Sequence, residues 1–114
     1  MSDTVAALAW CPFPDREGAR KLAGILLEER LIACANILPQ IESVFEWEGE
    51  VSDCQEVAVL FKTTAELLEP LVVRLGECHP YDTPAIVAWR CDKAHALTLD
   101  WLENTLGNQP GATP

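Results

Sequence analysis

Apolar and polar residues follow one another along the chain in patterns that predict alternating strands and helices. The apolar run from Thr4 to Trp10 predicts strand one, which we expect to end at Cys11-Pro-Phe-Pro14 because proline cannot donate to a sheet ladder. Asp15 stands where a helix N-cap is expected, and apolar residues recur behind it at helical spacing. These residues are Ala19, Leu22, Ala23 and Leu26. The pattern predicts helix one.

A long interrupted strand and its return follow this helix. Leu31 to Leu38 is small and apolar, Pro39 interrupts it, and residues 41–51 alternate between the two sides of a strand. Glu48-Gly49-Glu50 supplies a turn, and Glu56 to Phe61 returns as an apolar run that is too short for a typical helix. We therefore predict that strands two and three form a hairpin, with strand two bent at Pro39.

The second half of the chain repeats the order of helix and strand. Thr63-Thr-Ala-Glu66 resembles a capping box, so helix two is expected to begin there, with a late start or a kink at Pro70. A loop punctuated by prolines, Cys78 to Pro84, precedes strand four, which is the apolar run Ala85 to Trp89. Pairing of this strand with the others would complete a sheet.

The order of elements predicts the fold. A last amphipathic helix covers Ala96 to Leu106, after which residues 107–114 have the composition of a flexible tail. Strand, helix, strand, strand, helix, strand is the split βαβ plan of ferredoxin-like sandwiches, and here it is followed by that C-terminal helix. The length requires no second domain, so we predict one α+β domain over residues 1–114.

The predicted strands carry more apolar surface than one chain can cover. In the split βαβ plan both helices cover the same face of the sheet, yet strands one, three and four are apolar at consecutive positions, which predicts burial on both faces. One terminal helix cannot cover a whole face, so we expect copies of the chain to associate through it. The alternative is that Trp89 or Trp101 covers the open face within one chain.

Composition narrows the classes of function. Apolar residues make up 49% of the chain and charged residues 23%, which is typical of a packed globular protein. A formal charge of −10 disfavours nucleic acid and anionic lipid as partners and favours cationic ligands. No basic leader precedes the first apolar stretch and no apolar run approaches the length of a membrane span, so we expect a cytoplasmic protein without a membrane partner.

The five cysteines form no local metal or disulfide motif. They are odd in number, widely spaced and without a Cys-x-x-Cys pair. From the residues alone, Cys11 is most simply a small buried hydrophobe at a strand end. Cys34, Cys54 and Cys91 have no ligand partner at a useful spacing, so we predict that they are packing residues.

Several segments, taken together, resemble the CutA divalent-cation tolerance family. They are Leu31 to Pro39, Phe45 to Gly49, Lys62 to Thr64 and His79 to Pro84. They occur in order and with matching spacing between about Val5 and Leu106, which is more specific than any one short motif. The resemblance implies a ferredoxin-like subunit in a PII-like homotrimer, a part in tolerance to copper and other divalent cations, and no catalytic activity.

The resemblance also implies a metal site. The family's site has been placed at a cysteine after the first strand and at two residues just before Pro-Tyr-x-Thr-Pro, and these positions are Cys11, Cys78 and His79 here. Their thiol and imidazole groups suit copper or zinc. Copper-binding members have two histidines where this chain has Cys78 and His79, which favours a softer ion. Adjacent side chains of an extended segment point in opposite directions, so both can bind one ion only through a local turn.

Two other functions are open from the residues. A PII-like sensor would bind a small metabolite in clefts between subunits, although the chain has no Gly-rich phosphate loop and only Arg16, Arg20 and Lys21 cluster as cations. A metal-assisted hydrolase is the least favoured function, because no Ser-His-Asp set, metalloprotease helix or pair of catalytic carboxylates can be identified.

Overall fold

The structure, a computed structural model, describes residues 3–107. The elements are β1 (Ala6–Phe13), α1 (Arg16–Glu28), β2 (Cys34–Trp47), β3 (Glu50–Thr64), α2 (Leu68–Cys78), β4 (Val87–Arg90) and α3 (Ala96–Leu106). The predicted order of elements is confirmed. Of the predicted flexible tail, residues 108–114 lie outside the described residues. No helix within residues 3–107 has the length and hydropathy needed to cross a bilayer.

The strands form one antiparallel sheet in the order β2-β3-β1-β4. Both α1 and α2 pack against the same face of this sheet. The side chains of the two helices and of this face form one core. Its largest buried members are Phe13, Leu26, Ile32, Phe61, Leu71 and Leu75. The predicted α+β split βαβ sandwich is therefore confirmed.

The first strand extends past its predicted end at Trp10, so the prediction that prolines stop it is wrong. Pro12 lies opposite Ala58 of β3 within the ladder. In an antiparallel strand the nitrogen and the carbonyl oxygen of one residue point to the same side. The Pro12 carbonyl accepts a hydrogen bond from His79, so its nitrogen also faces away from β3 and no ladder bond is lost. β4 pairs with β1 only as far as Trp10 and needs no donor from Pro12.

The first helix begins where it was predicted to begin. The Asp15 carboxylate accepts a hydrogen bond from the Gly18 amide at 2.7 Å, as an N-cap does. The apolar stripe of α1 is buried against the sheet: Ala19, Leu22, Ala23 and Leu26. This anchors the loop between β1 and α1 beside the end of β1.

The hairpin of β2 and β3 is longer than predicted, since β3 begins at Glu50 rather than at Glu56. The predicted bend at Pro39 is a bulge, because the pairing shifts by one residue between Leu38 and Ile41. Glu48 and Gly49 have φ of 52° and 85°, the left-handed turn geometry that joins tightly paired strands. We call residues 41–56 the hairpin arm; it lengthens the molecule to 51 Å.

The second helix starts later than the capping-box pattern predicted. Thr63 and Thr64 belong to β3, and the Thr63 hydroxyl donates to the Leu31 carbonyl at 2.7 Å instead of capping a helix. A single 3₁₀ turn, Ala65–Leu67, leads into α2. The predicted capping box is therefore wrong, whereas the predicted late start of the second helix is confirmed. Pro70 is the third residue of α2, where an amide hydrogen has no partner in any helix.

The second face of the sheet is largely uncovered. α3 packs over one end of it, where Leu102 and Leu106 contact Ala6. Strand alternation places the following residues on the uncovered remainder, which we call the open face: Leu8, Trp10, Cys34, Asn36, Leu38, Leu60, Lys62, Val87 and Trp89. Trp89 stays 43% exposed and Trp101 40% exposed, so neither indole covers this face within one chain. Self-association through it stays a prediction.

Candidate functional site

His79 caps the C-terminus of α2 and is buried beneath the loop that leads to β4. Its backbone is extended, with φ −72° and ψ 142°, as Pro80 after it favours. The residue is 8% exposed. Its ring lies against Phe13, with 4.6 Å between centroids, and against Tyr81, with 4.9 Å. The imidazole therefore joins the end of β1 to its own loop.

Both ring nitrogens of His79 are hydrogen-bonded. Nε2 lies 2.8 Å from the Pro12 carbonyl oxygen, and the Tyr81 amide donates to Nδ1 at 3.1 Å. A backbone amide can only donate and a carbonyl can only accept, so Nδ1 carries the lone pair and Nε2 carries the hydrogen. These contacts assign a neutral ring in a single tautomer.

Cys11 lies on the same side of the sheet, fully buried at the end of β1. Its thiol donates to the Pro12 carbonyl, with 3.6 Å between sulfur and oxygen. Burial, and then the negative charge of Glu56, raise the pKa of the Cys11 thiol to about 12. The sulfur is enclosed by the core and already bonded to the Pro12 carbonyl, so an ion could reach it only if the end of β1 moved.

Cys78 is the last residue of α2 and is half-buried against the core. Its side chain lines a cleft of about 310 Å³ between the start of α1 and the loop that leaves α2. Lys21 and Pro80 line the same cleft. Of the three predicted ligands, Cys78 and His79 are thus adjacent at a helix end, and Cys78 borders open space.

Cys11 and His79 lie close together because both donate a hydrogen bond to the same acceptor, the Pro12 carbonyl. Within residues 3–107, no three His, Cys, Asp or Glu side chains are grouped so that they could hold one metal ion. A complete three-ligand site is therefore not formed inside one chain. The assignment of Cys11, Cys78 and His79 as metal ligands stays a prediction.

A hydrogen bond that no sequence pattern predicted holds the loop of the site in place. The Tyr81 hydroxyl donates to Glu56 Oε2 at 2.8 Å, which ties the loop after α2 to β3. Burial raises the pKa of Tyr81, and the bond to Glu56 raises it further. The two residues are 25 positions apart in different elements, and no spacing pattern links them.

The remaining cysteines differ in their surroundings. Cys91 packs against the smaller cluster beneath α3, and Cys34 is half-buried at the start of β2. Cys54 is exposed, so its prediction as a packing residue is wrong. The reason is that the hairpin arm extends beyond the helices, where no second layer covers it.

Comparisons with known proteins agree on one family. The family model "CutA1 divalent ion tolerance protein" matches residues 7–105. The divalent-cation tolerance protein CutA of Thermus thermophilus is 43% identical over 82% of this chain and 91% of that protein. The chloroplastic protein CutA of Arabidopsis thaliana is 40% identical over 94% of this chain, which spans 59% of that protein's length.

Solved structures show the same relationship. The divalent ion tolerance protein CutA1 of Ehrlichia chaffeensis superposes with a TM-score of 0.87 at 36% identity, covering 92% of this chain and 98% of that chain. The protein from Archaeoglobus fulgidus, described as periplasmic, superposes with a TM-score of 0.84 at 33% identity, covering 89% and 98%. Relatives are thus named for different compartments, and the cytoplasmic location stays a prediction. The chain belongs to the CutA1 divalent ion tolerance protein family.

Proposed function

We propose that this protein is a non-enzymatic divalent-cation tolerance protein which, as an assembly of copies, binds a soft metal ion at the C-terminal end of α2. The ion would be copper, held by the Cys78 thiolate and by Nδ1 of His79. The observation that carries the proposal is the pair of hydrogen bonds on the His79 ring.

The ring is oriented as a metal ligand is usually oriented. Histidines that bind metals donate their second ring N–H to a carboxylate, a backbone carbonyl or water, which fixes the tautomer and the plane of the ring. Nε2–H of His79 donates to the Pro12 carbonyl in this way. The nitrogen that remains, Nδ1, carries the lone pair and faces the loop, where it accepts from the Tyr81 amide.

Binding at Nδ1 has a modest cost. The Tyr81 amide must leave Nδ1, and a hydrogen bond of this kind contributes about 1 kcal/mol. Structural zinc sites with four thiolate and imidazole ligands have apparent binding energies on the order of 10 kcal/mol, so even a weaker two-ligand site can offset this loss. The extended backbone of His79 would also have to turn before Cys78 and His79 could approach one ion.

Cys11, the third predicted ligand, takes a different part in this proposal. Its buried thiol keeps its proton and donates to the Pro12 carbonyl, the same oxygen that orients the His79 ring. Each ion then has two protein ligands, both from one chain. A softer ion suits a site with one thiolate in place of a second imidazole.

Self-association belongs to the same proposal. Leu38, Val87 and Trp89 on the open face are each more than a third exposed. Exposed apolar patches of this kind are typical of interfaces, and closed symmetric assemblies are the usual way to cover them. A homotrimer is the assembly that the family resemblance implies.

Anaerobic titration calorimetry with Cu(I) tests the metal site, with elemental analysis of the dialysed protein as a second readout. Wild-type protein should take up one ion per chain, and Cys78→Ser should weaken the affinity at least about 10-fold. Cys54→Ser is the matched control, because this thiol is more exposed and lies on the hairpin arm. Absence of saturable uptake, or an equal loss in the control, would contradict the proposal.

A further inference from the structure

Lys62 is the one basic side chain of the open face. It belongs to β3, with β2 on one side and β1 on the other, and its partners across the ladder are Cys34 and Leu8. Lys62 is half-buried even in the single chain. Leu60 and Trp10, which are paired with each other, lie next to it on the same face. A charged group therefore stands within an apolar surface.

Among residues 3–107, no acidic side chain forms an ion pair with the ammonium group of Lys62. The ion pairs within residues 3–107 are those of Arg74 with Glu29 and Glu77, at the edge of the helical layer. The nearby polar side chain Asn36 accepts from the thiol of Cys34. Eighteen acidic residues stand against eight basic ones in the chain, yet none of those described reaches Lys62.

Covering the open face would make this lack of a partner costly. Taking an ammonium group out of water without a counter-charge costs more free energy than the burial of one apolar side chain returns. A surface that covers the face must therefore either leave Lys62 wet or bring an anionic group to it. A carboxylate is the group that this acidic chain offers in quantity.

The hairpin arm has the composition that matches this face. Residues 41–56 contain no basic side chain and carry Glu42, Glu46, Glu48, Glu50, Asp53 and Glu56. The arm also exposes Val44, Phe45, Trp47 and Val51, which are between 42% and 75% exposed. Because the arm continues β2 and β3 outward in the plane of the same sheet, it does not lie over its own open face.

We propose that Lys62 of one copy forms an ion pair with a carboxylate of the hairpin arm of a second copy. Apolar side chains of the arm then cover the open face, and the carboxylate neutralises the cation at its centre. Charge complementarity between the arm and Lys62 selects this occupant over a neutral apolar partner. The inference rests on the self-association in the proposed function and adds the residue that fixes how the copies dock.

Zero-length carbodiimide cross-linking tests the pair, because it joins an amine only to a carboxylate in contact with it. Covalent dimers are separated on a denaturing gel, digested and sequenced by mass spectrometry. We expect a linked peptide that joins Lys62 to an acidic residue of the arm. Lys93 is the matched control, since it is an exposed lysine that lies outside the open face. Dimers linked only through Lys93, or none through Lys62, would overturn the ion pair.

Charge reversal provides a second measurement. Lys62→Glu places a carboxylate against the acidic arm, so at 10 µM the assembly should dissociate to smaller species in light scattering, whereas Lys93→Glu should leave the mass unchanged. If wild-type protein is assembled and Lys62→Glu leaves its mass unchanged, the ion pair is wrong and self-association stands. If wild-type protein is a monomer, both proposals fail. Protection of Lys62 from acetylation only after addition of succinate or phosphate would assign the cation to a small anion and overturn the docking.

Discussion

The Nε2 nitrogen of His79 lies 2.8 Å from the carbonyl oxygen of Pro12, across 67 positions of sequence. The carbonyl is free to accept because Pro12 turns both its nitrogen and its oxygen away from β3. The thiol of Cys11 donates to the same oxygen. One proline within a strand thus holds two of the three predicted metal ligands in place.

Replacement of His79 by alanine should destabilise the fold. The change removes a ring packed between Phe13 and Tyr81 and leaves the Pro12 carbonyl without its imidazole donor. We expect a loss of about 2 kcal/mol in the free energy of unfolding, measured by urea denaturation. His95→Ala is the control, because His95 is exposed and its ring only caps α3 through the Leu97 amide. Equal losses in the two variants would contradict the structural role of His79.

Tyr81 offers a direct test of the loop contact, because it is the only tyrosine in the chain. Its ultraviolet absorbance should report ionisation well above the ordinary pKa of 10, owing to burial and then to the bond with Glu56. In Glu56→Gln the titration should move down toward 10, since the carboxylate charge is gone. Because the pKa of Tyr81 is higher in the folded protein than in the unfolded chain, the neutral hydroxyl stabilises the fold below pH 10. This contribution is lost as the pH rises further through the folded-state pKa. A wild-type titration near 10 would show that the contact is absent.

Cysteine reactivity should separate the thiols by position. Cys11 is fully buried with a pKa raised to about 12. Cys54 is exposed on the hairpin arm, where desolvation and then the charges of Glu56 and Asp53 also raise its pKa, so access to solvent is the main difference. At pH 8, iodoacetamide should alkylate Cys54 at least about 100-fold faster than Cys11, because only the accessible thiolate reacts. Peptide mass spectrometry over time measures both rates in one sample. Comparable rates in the folded protein would mean that the Cys11 thiol at the end of β1 is accessible to the reagent.

Two glycines at helix positions should respond to alanine in opposite directions. Gly76 lies within α2, exposed, with open space where a Cβ would stand, so Gly76→Ala should stabilise the protein by about 0.5–1 kcal/mol. Gly107 ends α3, and a Cβ there would clash with the Glu103 carbonyl oxygen, so Gly107→Ala should lower the melting temperature. Thermal unfolding of both variants measures the difference. The same sign for both would contradict the described end of α3.

Local signals in the sequence predicted much of the fold. The cap at Asp15 and the periodicity behind it located the start of α1, and the last helix occupies Ala96–Leu106 as expected. The errors occurred where a distant contact overrides a local preference. Pro12 lies within a strand, and its carbonyl accepts a hydrogen bond from His79. Thr63 belongs to β3, and its hydroxyl donates to the Leu31 carbonyl instead of capping a helix.

The candidate site could be predicted only in part. Cys11, Cys78 and His79 were identified from the family resemblance, and no periodicity indicates that Cys11 and His79 meet at one carbonyl. The bond between Tyr81 and Glu56 depends on how the loop after α2 lies over β3, which is a tertiary contact without a sequence pattern. Burial of the Cys11 thiol likewise follows from the packing of α1 and α2 against the sheet.

The metal-binding assembly and the docking of the hairpin arm both require several copies of the chain, so both depend on the mass of the native protein in solution. Multi-angle light scattering at micromolar concentration should give the mass of three chains, each of 12.6 kDa. A folded, stable species with the mass of one chain would contradict the account.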